Sequence, residues 1–185
     1  MSHKGTVKLK TKRLILRKFE IADAEAMYGN WAGDPEVTKY LTWQTHSGVE
    51  ATKQLLSEWL LEYSKPDHYN WAIVLKTPGE PIGSISVVNV DDRVNYAEIG
   101  YCLGQNWWNK GYMTEALTAV IKFLFEQVGA NRIAAVHDAN NPISGKVMLK
   151  CGLKYEGLHR QDGRNNQGIC DLAEYAILAE DYFAN

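Results

Sequence analysis

The sequence contains no long apolar run, and no segment approaches the ~20 apolar residues that a membrane-spanning helix requires. Residues 1–12 are polar and charged, and they lack the apolar core of a secretory signal peptide. Internal repeats and low-complexity tracts are missing as well. These absences argue against a membrane protein and a repeat architecture, and we predict that the protein does not act at a membrane.

Cysteine is scarce, and the three cysteines, Cys102, Cys151 and Cys170, show no CxxC spacing. This pattern predicts reduced thiols and a cytoplasmic location. The histidines are scattered without metal-ligand spacing, so we predict no bound metal. The net charge of −2 lacks the basic excess of a nucleic-acid-binding protein, which argues against direct nucleic-acid binding.

No linker rich in proline, glycine or serine divides the 185 residues. Domains usually contain roughly 100–200 residues, so we predict a single domain over residues 1–185. The patterns along the chain predict a strand, two helices and three strands, followed by a helix, a strand, a helix and two strands. This order is typical of one mixed α/β domain around a central sheet.

The strands are predicted from alternating apolar residues and from β-branched content. They cover residues 13–19, 71–76, 82–90, 96–103, 132–137, 153–160 and 169–178. The polar stretch 161–168 is interpreted as the connection between the last two strands.

The helices are predicted from apolar residues at helical spacing. They begin at residues 21, 47, 113 and 142. The first covers residues 21–31, and a capping box of Ser47 and Glu50 opens the second. Gly129 marks the end of the third helix, which has the clearest periodicity, and Asn141 is the predicted N-cap of the fourth.

The stretch 107–115, WWNKGYMTE, joins the predicted strand 96–103 to the third helix. Gly111 in a tight loop lets the backbone approach a ligand closely. The unpaired amides and positive dipole end of a helix N-terminus suit a pyrophosphate, and Lys110 adds a charge. The stretch matches neither GxxxxGK[ST] nor GxGxxG, so its signal is weak when taken alone.

Four stretches together resemble a known family: AEIGYCLGQNWWNKGYMTEALTAVIKF, NPISGKVMLKCGLKYEG, the opening TKRLILRKF and the ending DLAEYAIL. They resemble the GNAT superfamily of N-acetyltransferases, in the branch of the ribosomal-protein alanine N-acetyltransferases, over nearly the whole chain. The resemblance implies an α/β acyl-CoA N-acyltransferase fold, in which helices flank a splayed, mostly antiparallel sheet. It also implies acetyl-CoA as co-substrate without a metal, and a primary amine as acceptor, most closely the α-amino group of a protein.

The resemblance places the cofactor-binding residues in three segments. Strand backbone that pairs with the pantetheine arm is implied at Tyr101, Cys102 and Leu103. Loop amides that hold the pyrophosphate are implied at Trp108, Asn109, Lys110, Gly111, Tyr112, Met113 and Thr114. Asn141 is implied to contact the cofactor arm, although a helix cap alone would also explain it. Trp108 and Met113 depart from the usual superfamily loop, and the bulk of Met113 could crowd the pyrophosphate.

Glu98 is the candidate general base. On an alternating strand it shares a face with Tyr96, Gly100 and Cys102. An α-amino group has a pKa of roughly 7.7–8.0, so a carboxylate that removes its proton would supply the neutral amine that attacks the thioester. The alternative is a surface or ion-paired glutamate, but a mid-strand glutamate flanked by apolar residues calls for an explanation.

The departing thiolate requires a hydrogen-bond donor. Met148 occupies the position of the superfamily's usual tyrosine and cannot donate. The resemblance implies Ser144 instead, and the alternative for this serine is that it serves only a first-turn amide. Tyr155, which is nearby in the sequence, is an alternative donor. An acyl-enzyme on Cys102 is disfavoured, because no Cys-His-Asp set lies close to it in the sequence.

Two rival functions stay open from the sequence. One is a small-molecule N-acetyltransferase for polyamines, amino-acid analogues or antibiotics, and the other is a non-catalytic acyl-CoA-binding module. Exposed strand edges permit either a monomer or a homodimer. Five aromatic residues belong either to the core or to the walls of an acceptor site: Trp31, Tyr40, Trp43, Trp59 and Tyr63.

Overall fold

The computed structural model describes residues 1–184 and contains an eight-stranded sheet. The strands are β1 (Leu9–Lys10), β2 (Leu14–Arg17), β3 (Asn70–Leu75), β4 (Pro81–Asp91), β5 (Tyr96–Leu103), β6 (Arg132–Asp138), β7 (Lys154–Asn165) and β8 (Gly168–Leu178). Their order is β1-β2-β3-β4-β5-β6-β8-β7, and β5 and β6 form the one parallel pair in this sheet. The predicted mixed fold with a mostly antiparallel sheet is therefore confirmed.

The helices occupy the connections between strands and the C-terminal end. They are α1 (Ala24–Met27), α2 (Pro35–Thr38), α3 (Val49–Glu62), α4 (Tyr112–Phe123), α5 (Pro142–Lys150) and α6 (Ala179–Phe183). Short 3-10 turns lie at Ile21–Asp23 and Gln105–Trp107, and π-helical turns lie at Tyr28–Ala32 and Leu124–Val128.

Two apolar clusters pack on the sheet. The larger contains Leu117 of α4 and Met148 of α5, and the smaller contains Leu56 of α3. Neighbouring residues of β3 divide between them, with Ile73 in the larger cluster and Val74 in the smaller. Because successive side chains of a strand point to opposite faces, the sheet lies between two helical layers.

Strands β5 and β6 separate soon after they meet. They pair only where residues 96–98 lie opposite residues 132–134. Beyond Glu98, β5 continues to Leu103 and β6 continues to Asp138. The splay expected near Glu98 is therefore confirmed. On β4 the register shifts between Val87 and Asn89, opposite Glu98, and such bulges often lie beside active sites.

The strongest helical pattern in the sequence corresponds to α4. Met113, Leu117 and Val120 are buried on one side of this helix, as their spacing predicts. The π-helical turn that follows ends at Gly129, which has a left-handed φ of 78°. The predicted stop is confirmed, because glycine adopts this conformation without a Cβ penalty.

Two of the helix predictions are wrong in detail. The helix expected over residues 21–31 is instead a 3-10 turn, a short α-helix and a π-helical turn in succession. The capping box of Ser47 and Glu50 is absent, because the N-cap of α3 is Gly48. Glu50 therefore lies in the second helical position, and its carboxylate pairs with Lys53 at 2.7 Å.

The connection predicted over residues 161–168 is also wrong, because β7 extends to Asn165 and leaves only a two-residue turn before β8. The pairing is irregular between His159 and Gly163. In this irregular part, Gln161 has a φ of 54°, and its backbone N–H donates to the Asp171 carboxylate at 2.8 Å. Strand β7 is the sheet edge and mostly exposed, so it lacks the apolar alternation that marks a half-buried strand.

Candidate active site

Helix α5 lies beside the gap between the diverging strands β5 and β6. The Tyr101 hydroxyl reaches from β5 and donates to the backbone carbonyl of Ser144 at 3.0 Å. A small cavity of about 60 Å³ lies here, and Tyr101, Asn141 and Ser144 are among its lining residues. Past Glu98, the β6-facing edge of β5 has no strand partner within residues 1–184. Such an edge can form main-chain hydrogen bonds with an extended ligand.

The loop that precedes α4 presents backbone amides. Asn109 and Gly111 have positive φ angles of 60° and 75°, and Gly111 is the N-cap of α4. The first-turn amides of a helix have no intrahelical acceptor, and they lie at the positive end of its dipole. Residues 108–114 can therefore hold a pyrophosphate in the way that the sequence predicts.

Arg13 braces this loop and was missed in the sequence. Its Nη1 donates to the carbonyl of Lys110 at 2.9 Å, and its guanidinium lies 4.3 Å from the centre of the Tyr112 ring. Its Nε donates to the Glu115 carboxylate at 2.7 Å. Burial would raise the pKa of Glu115, but hydrogen bonds from Thr11 and Arg13 lower it. Arg13 precedes Lys110 by 97 residues, so no local motif indicates this contact.

Trp108 and Met113 are both held by contacts within the protein. The Trp108 indole N–H donates to the backbone carbonyl of Leu103 at 2.7 Å, which ties the loop to the end of β5. Met113 is only 6% exposed and belongs to the larger apolar cluster. Its side chain is therefore packed in the core.

Glu98 lies where the two strands part, and it lines a second, larger cavity. The Tyr96 hydroxyl donates to the Glu98 carboxylate at 3.2 Å, so the two residues share a strand face as predicted. Burial and the charge of Glu98 raise the pKa of Tyr96, which keeps this phenol protonated. None of the ion pairs among residues 1–184 includes Glu98, so the alternative of an ion-paired glutamate does not explain it.

The larger cavity has a volume of about 680 Å³ and an aromatic wall. Four of the five aromatic residues left open by the sequence line it: Trp31, Tyr40, Trp43 and Trp59. Tyr63 instead supports the fold. Its hydroxyl accepts from the Phe19 amide at 2.9 Å and donates to the Asn70 carbonyl at 2.8 Å.

Asn141 and Ser144 lie together at the start of α5. The Asn141 side-chain amide donates to the Ser144 hydroxyl at 3.3 Å, and both residues line the smaller cavity with Met148. Asn141 is the N-cap of α5, but its side chain makes no capping hydrogen bond, so capping alone does not explain it. Tyr155 is 54% exposed and lines neither cavity, whereas Ser144 lines the smaller one.

The Cys102 thiol lines the larger cavity and stays protonated. Its sulfur lies 3.2 Å from the Ser84 hydroxyl, and burial raises the pKa of the thiol. Because the thiolate is the nucleophilic form of cysteine, a raised pKa disfavours an acyl-enzyme at this position.

Asn166, at the tip of the β7–β8 hairpin, joins this hairpin to the segment of residues 38–44, which is distant in the sequence. Its side-chain amide donates to the backbone carbonyls of Thr38 at 2.9 Å and Trp43 at 2.8 Å. Its side-chain oxygen accepts from the Gln44 amide at 2.7 Å. The sequence separations exceed 120 residues, so sequence reasoning did not find this contact.

Asp138 also lies where both cavities meet, and the sequence did not single it out. It is 4% exposed, and its carboxylate accepts from the backbone amide of Asn140 at 2.7 Å and from the Asn165 side chain at 2.5 Å. Asp138 therefore fixes the end of β6 to the hairpin, beside the cavity that Glu98 lines.

Comparison with known proteins identifies the family. Residues 13–154 match the model of the acetyltransferase (GNAT) domain. The chain belongs to the GNAT acetyltransferase family. The uncharacterized N-acetyltransferase p20 of Bacillus licheniformis is 32% identical over 175 residues, which cover 94% of this chain and 97% of that protein. The [ribosomal protein uS5]-alanine N-acetyltransferase of Escherichia coli is 28% identical over 160 residues, which cover 82% and 80%.

A solved structure extends the likeness to three dimensions. The GNAT-family acetyltransferase of Bacillus anthracis has a TM-score of 0.82 to this chain at 28% identity, and the match covers 94% of this chain and 99% of that one. As a GNAT member, the protein is an acetyl-CoA-dependent N-acetyltransferase. The free edge of β5 and the amides before α4 suit the pantetheine and pyrophosphate parts of this co-substrate.

Over residues 1–184, no three His, Cys, Asp or Glu side chains are grouped so that they could hold a metal ion. Over the same residues, no helix combines the length and the hydropathy of a membrane span.

Proposed function

We propose that the protein acetylates the α-amino group at the N-terminus of a protein. The observation that carries this proposal is the Glu98 carboxylate, which lines the larger cavity at the point where β5 and β6 part. The proposal is also supported by the likeness to the ribosomal-protein alanine N-acetyltransferase of Escherichia coli, at 28% identity.

Glu98 acts as the general base in this proposal. An α-amino group has a pKa of roughly 7.7–8.0, so much of it is protonated at neutral pH. Glu98 takes a proton from the ammonium group, directly or through one water, and leaves a lone pair on nitrogen. The Tyr96 hydroxyl holds the Glu98 carboxylate at 3.2 Å, which fixes its direction.

The transfer then proceeds by direct attack in the gap between β5 and β6. The amine nitrogen forms a bond to the acetyl carbonyl carbon as the C–S bond breaks, and the sulfur leaves as a thiolate. The attacking nitrogen loses its second proton, which the thiolate takes up through water, so the products are the N-acetyl amide and CoA. Amides of Tyr101 and its neighbours on the free edge of β5 polarise the thioester carbonyl. The Ser144 hydroxyl, positioned by Asn141, donates a hydrogen bond to the thiolate. A serine hydroxyl is a weak acid, so this contact stabilises the thiolate without transferring its proton.

A small free amine is the second candidate acceptor. The cavity volume of about 680 Å³ lies within the range of roughly 300–1,000 Å³ that is typical of small-molecule sites. Glu98 and Asp138 supply carboxylates in its wall, as a cationic amine would require.

The remaining expectations are proposals of the same kind. We propose a single catalytic domain over residues 1–185 that acts in the cytoplasm as a monomer or homodimer and does not bind nucleic acid or a membrane. The three cysteines are free, in keeping with a reducing compartment.

The test offers acetyl-CoA with peptides of varied first residue, in which every lysine is blocked, and locates the acetyl group by mass spectrometry. We expect acetylation of the α-amino group only. Matched peptides with a blocked α-amino group are the control and should stay unmodified. If no peptide gains an α-acetyl group while small free amines do, the second candidate replaces the first.

A further inference from the structure

The side-chain amide of Asn70 has no hydrogen-bond partner within residues 1–184, although this residue is only 5% exposed. The backbone of Asn70 is engaged in the fold. Its N–H donates to the Thr6 hydroxyl at 2.9 Å, and its carbonyl accepts from the Tyr63 hydroxyl at 2.8 Å. The contacts among residues 1–184 therefore explain the backbone of Asn70 but not its side chain. Buried polar side chains nearly always have a partner, so this amide indicates a ligand.

The direction of the Asn70 side chain follows from its strand. Asn70 begins β3, and it lines the larger cavity. Successive side chains of a strand point to opposite faces, so Asn70 shares its face with Ala72 and not with Trp71. Ala72 belongs to the smaller apolar cluster, together with Trp31 and Cys102 of the cavity wall, whereas Trp71 belongs to the larger cluster. The Asn70 side chain therefore lies on the cavity side of the sheet.

An occupant of the cavity can reach this amide. The nitrogen and oxygen of the Asn70 side chain are not among the polar atoms that lack both a partner and solvent-accessible surface. Each of the two atoms therefore retains surface that a ligand can contact. The Trp31 indole N–H and the His68 Nε2 differ in this respect, because both are inaccessible to an occupant.

Asn70 lies on the same stretch of sheet as the candidate base. Asn70, Ser86 and Gly100 are register partners on β3, β4 and β5, and all three line the cavity. Neighbouring strands are about 4.8 Å apart, so Asn70 is roughly 10 Å from Gly100 across the sheet. Glu98 is two residues further along β5, which adds roughly 7 Å in the perpendicular direction. The backbone positions of Glu98 and Asn70 are therefore about 12 Å apart on one face.

This separation fits an acceptor that lies extended over the sheet. With about 3 Å for a hydrogen bond at each end, roughly 6 Å remain between the amine beside Glu98 and the group that contacts Asn70. An extended chain advances roughly 3.3–3.6 Å per residue, so this distance reaches the second residue. An asparagine side chain contains both donors and an acceptor. The N–H and C=O of one extended residue point to the same side, so one asparagine can pair with both.

We propose that Asn70 binds the backbone of the second residue of the acceptor. Its side-chain amide donates to the C=O of that residue and accepts from the N–H. Asn70 is then a specificity-determining residue, because it selects an acceptor with an amide backbone beyond its first residue. Proline lacks the N–H and is therefore disfavoured at the second position. This inference rests on the proposed function, because it requires a peptide as the acceptor.

The first test uses the wild-type protein and four acceptors. They share the first residue that is acetylated fastest in the test of the proposed function. One is the N-methylamide of that residue, and the others are its amides extended by one glycine, by two glycines or by proline. The N-methylamide lacks the C=O of a second residue, and the proline amide lacks the N–H. The kcat/KM is measured for each acceptor with acetyl-CoA.

The glycine amide should exceed both the N-methylamide and the proline amide by about fivefold or more in kcat/KM, the effect of one neutral hydrogen bond. The second glycine should add less than about threefold, because it lies beyond Asn70. If the glycine amide does not exceed both, the inference is overturned and the proposed function stands. If no peptide is acetylated at its α-amino group, the proposed function fails and the inference fails with it.

An Asn70→Ala variant removes the amide and keeps the backbone contacts with Thr6 and Tyr63. We expect its kcat/KM values for the N-methylamide, the glycine amide and the proline amide to lie within about twofold of one another. A merely structural loss would lower all three values and keep their ratios. Thermal melting and the Kd for acetyl-CoA check that the variant is folded.

Asn131→Ala is the control, because Asn131 is exposed and its side chain has no hydrogen bond within residues 1–184. It should keep the wild-type ratios among the acceptors. A folded Asn70→Ala variant that also keeps these ratios contradicts the proposal. The comparison of acceptors with the wild-type protein stands without any variant.

Discussion

The two sides of the split sheet are assembled in different ways. On the cofactor side, the proposed contacts are mostly backbone groups of residues 101–114, one continuous stretch that runs from the end of β5 into the first turn of α4. On the acceptor side, the cavity is walled by side chains from the helices before β3, from β4 to β6 and from the β7–β8 hairpin. A backbone site requires only a local conformation, whereas a side-chain cavity requires the whole fold. The cofactor side can therefore be recognised in a sequence, and the acceptor side cannot.

The largest expected effect is at the junction of the two sides. Glu98→Gln removes the base, and we expect kcat/KM to fall by about 10²–10⁴-fold, as is typical of general acid–base catalysis. The loss of kcat/KM should be smaller above the amine pKa of roughly 7.7–8.0, because the acceptor is already neutral there. Steady-state kinetics across pH measure both effects. Glu58→Gln, an exposed site on α3, is the control, and a change within about twofold at Glu98 would remove it as the base.

Gly111→Ala addresses the cofactor side alone. Gly111 has a φ of 75°, and a left-handed residue with a Cβ costs about 1–2 kcal/mol. If the loop relaxes, its amides turn away from the pyrophosphate, and we expect the Kd for acetyl-CoA to rise by roughly 5–30-fold. Calorimetric titration measures the Kd.

Gly129→Ala is the matched control, because Gly129 has nearly the same φ of 78° at the far end of the helical segment. It should lower the thermal stability without changing the Kd for acetyl-CoA. An equal Kd in both variants would mean that the loop amides do not bind the pyrophosphate.

Asn166→Ala addresses the acceptor side alone. Three hydrogen bonds of its side chain join the hairpin to residues 38–44, and each contributes roughly 1 kcal/mol. We expect the KM for the acceptor to rise by about tenfold, because this wall of the cavity loosens. The Kd for acetyl-CoA should stay unchanged. Gln167→Ala, the exposed neighbour, is the control, and weaker acetyl-CoA binding in Asn166→Ala would show that the two sides are not separable.

Ser144→Ala should give the smallest effect. Because the sulfur carries only part of its negative charge while the C–S bond is breaking, the hydrogen bond contributes nearer the roughly 0.5–1.5 kcal/mol of a neutral one, and we expect kcat to fall by about 2–10-fold. Single-turnover kinetics report the transfer step directly. Ser57→Ala on α3, where the hydroxyl bonds only the Lys53 carbonyl, is the control. A loss comparable to that of Glu98→Gln would instead indicate that Ser144 is essential for proton transfer.

The parts of the fold that were predicted correctly have a strong local signal. Strand β5 was placed at its observed bounds, and α4 was recognised from its periodic apolar side. Strand β7 was cut short because it is an exposed edge without apolar alternation. The capping box failed because the sequence offers Ser47 and Gly48 side by side, and either residue type can precede a helix.

The site divides in the same way. The loop before α4 and Glu98 were identified from local sequence together with the family resemblance, and their functional roles stay predictions. Arg13 was missed because its contact with the loop joins residues that are 97 positions apart. Asn166 was missed because its partners are more than 120 positions away. The sequence could not show whether Trp31 belongs to the core or to the cavity wall, because a buried aromatic residue is compatible with either position.

The most direct test of the account is whether the gap between β5 and β6 holds the pantetheine arm. Thermal shifts with acetyl-CoA, CoA and ADP compare ligands with and without that arm. At about 100 times its Kd, a ligand stabilises the fold by roughly 2.7 kcal/mol. This corresponds to about 5–10 °C for a chain of this size. We predict such a shift with both CoA species and little with ADP. An equal shift with ADP, or none with acetyl-CoA at millimolar concentration, would contradict the account.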